Sequence, residues 1–212
     1  MTSIAVFASG RGSNFEAIYQ ATQKGHLAAT IVLLVSNNPG AQVVQKATQW
    51  GIPTAVLSPT RFPGEDAYVQ QLLHTLNLHG VEWIVLAGYM KKIPAAIIQR
   101  YPFRIVNIHP ALLPAFGGKG MYGMHVHQAV FQSGAQVSGV TVHFVNEEYD
   151  QGAIIYQEPV IIRDCQTPEA IAQKVLAMEH RVYPETLNRL FTQPFEVVGK
   201  RVYFKTAETT YD

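Results

Sequence analysis

The chain of 212 residues has little of several things, and each shortage narrows what it can be. It has one cysteine, Cys165, so no disulfide within the chain can staple the fold. An excess of one charge is missing too: 16 Lys and Arg stand against 15 Asp and Glu, a formal net charge of +1. That balance is no footprint for a polyanion and argues against a nucleic-acid partner. No apolar run approaches the ~20 residues that a membrane-spanning helix requires, and residues 1–7 hold neither a basic leader nor an apolar stretch of signal-peptide length. The expected setting is the cytoplasm, with no membrane partner. Internal repeats and low-complexity linkers are also lacking, so residues 1–212 are expected to form one domain.

What is present is a repeated alternation. Apolar runs rich in β-branched residues are followed by longer amphipathic stretches, the pattern of βαβ units, and this predicts an α/β fold: a mostly parallel twisted sheet with helices on both faces. Strands are predicted over 4–8, 30–36, 54–57, 83–86 and 104–109, and helices over 15–24, 41–50, 66–78 and 94–100. Asn14 is the predicted N-cap of the first helix, and Gly25 stands where a C-cap glycine would. Two further strands are predicted over 137–145 and 153–162. Pro168 then opens a long helix toward residue 191, and the last twenty residues read as a short hairpin and a frayed tail. Gly117, Gly118, Gly120 and Gly123 mark the segment 116–124 as a loop.

Chemistry is concentrated in two places. Between the first strand and first helix, Ser9-Gly10-Arg11-Gly12-Ser13-Asn14 lets backbone approach a ligand at a helix N-terminus. Phe15 replaces the third glycine of a dinucleotide fingerprint, and no Gly-Lys-Ser or Gly-Lys-Thr follows, so a monophosphate is the better reading and a turn needed only for packing is the alternative. At the end of the fifth strand, Asn107 and His109 are two apart and share a face before Pro110. An amide and an imidazole together suit a developing oxyanion. The imidazole wants a carboxylate, for which Asp150 competes with Glu147 and Glu148.

Four stretches carry a resemblance: the loop 9–14, Leu86-Ala87-Gly88-Tyr89-Met90-Lys91, Asn107-Ile108-His109-Pro110-Ala111-Leu112-Leu113-Pro114, and Gly139-Val140-Thr141-Val142-His143-Phe144-Val145 through Asp150. In this order they resemble the folate-dependent phosphoribosylglycinamide formyltransferase family over nearly the whole chain. The resemblance implies a Rossmann-like formyltransferase fold, and formyl transfer from N10-formyltetrahydrofolate to the amine of glycinamide ribonucleotide in purine synthesis, without a metal. It implies Asn107, His109 and Asp150 as the catalytic trio, with protonated His109 and Asn107 on the oxyanion. Gly12, Ser13 and Asn14 would hold the phosphate, Glu179 the ribose, and Met90, Lys91, Ile93 and Val145 the folate.

Some residues depart from that pattern or stand outside it. Lys91 occupies a position where the family commonly has arginine, and Arg61 lies close to another arginine position that is empty here. The loop 116–124 carries an extra cation, Lys119, and is either a lid or a feature of one lineage. His125 and His127 read as polar residues of a helix start rather than metal ligands, and His143 as a satisfied core histidine or one that supports the site from behind. The nearest rival functions are formyltetrahydrofolate deformylase, which uses water as acceptor, and methionyl-tRNA formyltransferase. Both families usually carry an additional domain. A non-catalytic nucleotide- or folate-binding module is the alternative of another class.

Overall fold

The structure is a computed structural model and describes residues 1–205. Among these residues nine strands and six α-helices alternate: β1 (Thr2–Phe7), α1 (Ser13–Gln23), β2 (Ala29–Ser36), α2 (Gln42–Gln49), β3 (Thr54–Val56), α3 (Glu65–Leu78), β4 (Trp83–Leu86), α4 (Ala95–Arg100), β5 (Ile105–His109), α5 (Met124–Gln132), β6 (Val137–Phe144), β7 (Ile154–Ile161), α6 (Pro168–Thr192), β8 (Phe195–Val198) and β9 (Arg201–Phe204). They form one sheet in the order β3-β2-β1-β4-β5-β6-β7-β9-β8. From β3 to β5 the pairing is parallel. β6 then runs antiparallel to both β5 and β7.

Strand alternation divides the interior in two. Ile4 and Val6 of β1 face one core, which Phe15 and Ile18 of α1, Val43 of α2, Val126 of α5 and Val175 of α6 complete. Ala5 and Phe7 face the other, with Tyr68 and Leu72 of α3 and Ile97 of α4. This is the period of 2 at work: a strand buried on both faces must be apolar at every position. Tyr183 of α6 ties the layers together, its hydroxyl lying 2.9 and 3.0 Å from the carbonyl oxygens of Leu86 and Val106. Among the described residues no helix is long and apolar enough to cross a membrane.

One sequence reading needs correction. The N-cap of α1 is Gly12, at φ 76°, and Asn14 lies inside the helix. The chain must turn sharply off β1, and glycine reaches the left-handed region at no steric cost. α5 begins at Met124 and takes in His125 and His127, in keeping with their reading as residues of a helix start. Elsewhere the elements stand within a few residues of expectation. The terminal hairpin is β8 and β9, while the expected frayed tail falls outside the described residues.

Candidate active site

A cavity of about 640 Å³ opens where β1, β4 and β5 end, the edge at which open α/β sheets bind ligands. Asn14, Met90, Lys91, Ile93, Asn107, His109, Val145, Asp150 and Glu179 all line it, as do Gly118, Lys119, Gly120 and Gly123 of the glycine-rich segment. Gly12, Ser13 and Arg61 do not belong to that lining. A Cβ on Gly12 would lie 2.5 Å from Val43 Cγ2, so packing against α2 is itself enough to require the glycine. Ser13 instead lines a groove on the other side of α1, with Gln20 and Arg181. The exposed Glu147 lies outside the cavity wall, and Glu148, though on the wall, makes no ion pair with either histidine.

His109 is 3% exposed. Its Nε2 is 2.9 Å from the Phe116 carbonyl oxygen, and because a carbonyl can only accept, Nε2 carries the proton. Its Nδ1 faces Asp150 Oδ2 at 3.6 Å. Burial holds the imidazole below its ordinary pKa, an effect that Asp150 and the Phe116 carbonyl oppose without overcoming. The shift favours the neutral ring over the imidazolium.

Asp150 sits at φ 57°, a left-handed conformation that Asp tolerates better than most residues. That turn aims its carboxylate back between two histidines. Oδ2 accepts the Gly118 N–H at 2.9 Å, and Oδ1 lies 3.6 Å from His143 Nε2. Burial pushes its pKa up, but His143, His109 and the Gly118 amide together hold it below the usual value.

The β5–β6 register places His143 opposite Asn107, which sequence spacing could not reveal. The Nδ1–H of His143 donates to the Phe144 carbonyl at 2.8 Å, leaving Nε2 to accept from Asn107 Nδ2 at 3.1 Å. One amide hydrogen of Asn107 is thus used for orientation and the second remains for a ligand. His127, 6% exposed on α5, also lines the cavity. Its Nδ1 and the Oδ1 of Asn14 are buried without a hydrogen-bond partner among the described residues. Among those residues no group of three or more His, Cys, Asp or Glu could hold a metal ion.

Glu179 comes from the middle of α6 and accepts from Asn14 Nδ2 at 3.0 Å. Burial pushes its carboxyl up to about 7, against the opposing effect of Asn14. Between pH 4.5 and about 7 the folded chain holds a proton here that the unfolded chain releases, so stability falls as pH rises through that window. Glu179→Gln keeps the acceptor for Asn14 and removes the titration. It is expected to be more stable than the unsubstituted chain at pH 8, by up to about 3 kcal/mol, and nearly equal to it at pH 4. Urea unfolding at both pH values tests this, and a constant difference between the two proteins would refute it.

The sequence profile of the formyl transferase family matches residues 2–187. The chain belongs to the formyl transferase family. Among relatives named phosphoribosylglycinamide formyltransferase, the one from Bacillus subtilis is 40% identical across 90% of this chain and 95% of its own length. The chloroplastic one from Arabidopsis thaliana is 46% identical across 88% of this chain. The chain spans only 64% of that relative's length. Glycinamide ribonucleotide transformylase 1 of Symbiobacterium toebii has the same fold, with a TM-score of 0.89 at 32% identity over 96% of this chain and 94% of that one. This formyl transferase carries the family's Rossmann-like sheet, with its cavity at the strand ends described above.

Proposed function

We propose that this chain transfers the formyl group of N10-formyltetrahydrofolate to the amine of glycinamide ribonucleotide, a reading supported by relatives named phosphoribosylglycinamide formyltransferase. The observation that carries the reading is the convergence of Asn107, His109 and Asp150 in one cavity. Asn14 and Glu179 take the ribonucleotide there, with the first-turn amides of α1 toward its phosphate. Met90, Lys91, Ile93 and Val145 take the folate.

In the reaction the acceptor amine attacks the formyl carbon, and the carbonyl oxygen becomes negative. The free amide hydrogen of Asn107 and the Nε2–H of His109 then stabilise it. To reach the oxyanion, the His109 proton must leave the Phe116 carbonyl, so the segment 116–124 has to shift as substrates enter. Asp150 faces Nδ1 and stabilises positive charge on the ring, and its carboxylate helps to carry the amine's proton, through water, to N10 of the departing tetrahydrofolate. Segment 116–124 acts as the lid that keeps water out during this transfer.

The decisive assay measures tetrahydrofolate release with and without glycinamide ribonucleotide. Release is expected to require the ribonucleotide and to produce its formylated form; equal release without it would make the chain a hydrolase. Hydrogen exchange in 116–124 is expected to slow when both substrates or a bisubstrate analogue bind. Unchanged exchange at saturation would remove the lid and leave the trio in place.

A further inference from the structure

Six consecutive residues, 88–93, line the cavity, yet they belong to no helix or strand, since β4 ends at Leu86 and α4 begins at Ala95. Their backbone lacks the ladder that fixes a strand, so other partners must hold this wall in place. Among the described residues, two backbone groups of the stretch make hydrogen bonds, and both go to Ser9. The Gly88 carbonyl accepts from the Ser9 N–H at 3.1 Å, and the Met90 N–H donates to Ser9 Oγ at 2.8 Å.

Ser9 follows β1, is half-buried and does not itself line the cavity. Its hydroxyl proton is committed behind the wall, where it is donated to Asn37 Oδ1 just past the end of β2. The oxygen is thereby left as an acceptor for Met90. Three strand ends are joined through one hydroxyl. The ring of Tyr89, edge-on to Phe7 at 5.2 Å, also holds the stretch against the sheet. That contact fixes a side chain, whereas the two Ser9 bonds fix where the backbone groups point.

We propose that Ser9 is a positioning residue for the formyl donor: without touching the donor, its hydroxyl sets the backbone of 88–93 against which the donor lies. This rests on the reading that Met90, Lys91 and Ile93 take the folate. Asn107 and His109 stand on β5, Asp150 in the connection from β6 to β7, and Asn14 and Glu179 on α1 and α6. Neither the chemical step nor ribonucleotide binding therefore runs through this stretch.

Steady-state kinetics with each substrate varied, and calorimetry with tetrahydrofolate, test this on the full chain. Ser9→Ala is expected to raise the KM for the formyl donor and the Kd for tetrahydrofolate roughly fivefold, the scale of one neutral hydrogen bond. The kcat and the KM for glycinamide ribonucleotide should stay within about twofold. Ser9→Thr keeps the hydroxyl and should restore the donor values, whereas Ser9→Cys keeps the volume but accepts poorly and should match Ser9→Ala. A merely structural role would lower the yield of folded chain and leave each KM unchanged. That outcome, an equal rise for both substrates, or a Ser9→Thr chain no better than Ser9→Cys would overturn the proposal. If the Ser9-dependent change in tetrahydrofolate affinity is found in a chain that transfers no formyl group, the formyl-transfer reading falls and the Ser9 assignment stands.

Discussion

Asp150→Asn and His109→Ala are each expected to lower turnover by about 10²–10³, with little change in ribonucleotide affinity. The reason lies in when their interactions are used. In the resting site the His109 proton is spent on the Phe116 carbonyl, and burial disfavours the charged ring. Its full interaction with Asp150 arises only when the ring gains a second proton, which happens as charge develops on the substrates. Groups engaged in that way lower the barrier without tightening the resting complex.

Asp150→Asn is the cleaner of the two variants. Asn tolerates the left-handed backbone found at φ 57°, so the turn can survive while the charge is lost. His109→Ala also leaves the Phe116 carbonyl unpartnered, so its stability must be measured beside its rate. Because Asp150 raises the proton affinity of His109, Asp150→Asn should also move the His109 limb of the pH–rate profile to lower pH. Steady-state kinetics and calorimetry on both variants test this. Lost affinity with intact turnover would reject the trio.

Gly152→Ala is expected to destabilise the chain by about 3 kcal/mol or more, and to lower turnover although residue 152 is outside the cavity lining. A Cβ at this position would fall on the Phe144 carbonyl oxygen. The obstacle is backbone in β6, so no side-chain rotation relieves it. The turn after Asp150 would have to move, and with it the carboxylate that faces His109 and His143. Gly10→Ala is the control, since a Cβ there meets nothing within 4 Å; its stability should stay within about 0.5 kcal/mol of the unsubstituted chain. Urea unfolding separates the cases. A Gly152→Ala chain as stable as the control would mean that the turn adjusts freely.

The sequence by itself determined the alternation of strands and helices, because a period of 2 against 3.6 is written in each segment separately. The pairing of Asn107 with His109 was equally local, since residues two apart on a strand must share a face. The loop 9–14 announced a close approach of backbone, but its glycines could serve a ligand or a neighbouring helix. Val43, from an element thirty residues away, decides that Gly12 serves packing whatever the loop binds.

A helix start at His125 and His127 was legible, but the extent of α5 was not, because four glycines just before it outweigh the weak propensity signal of nine residues. The choice of Asp150 over Glu147 and Glu148 was likewise beyond spacing. It depends on a left-handed turn and on the return of β6 beside β5, which together bring the carboxylate to His109. His143 became a supporting residue only through the antiparallel register that sets it opposite Asn107. Protonation states belong to the tertiary structure as well. The direction of each shift depends on the water and charge that surround the group, and for His109 and Glu179 those surroundings come from segments distant in the chain.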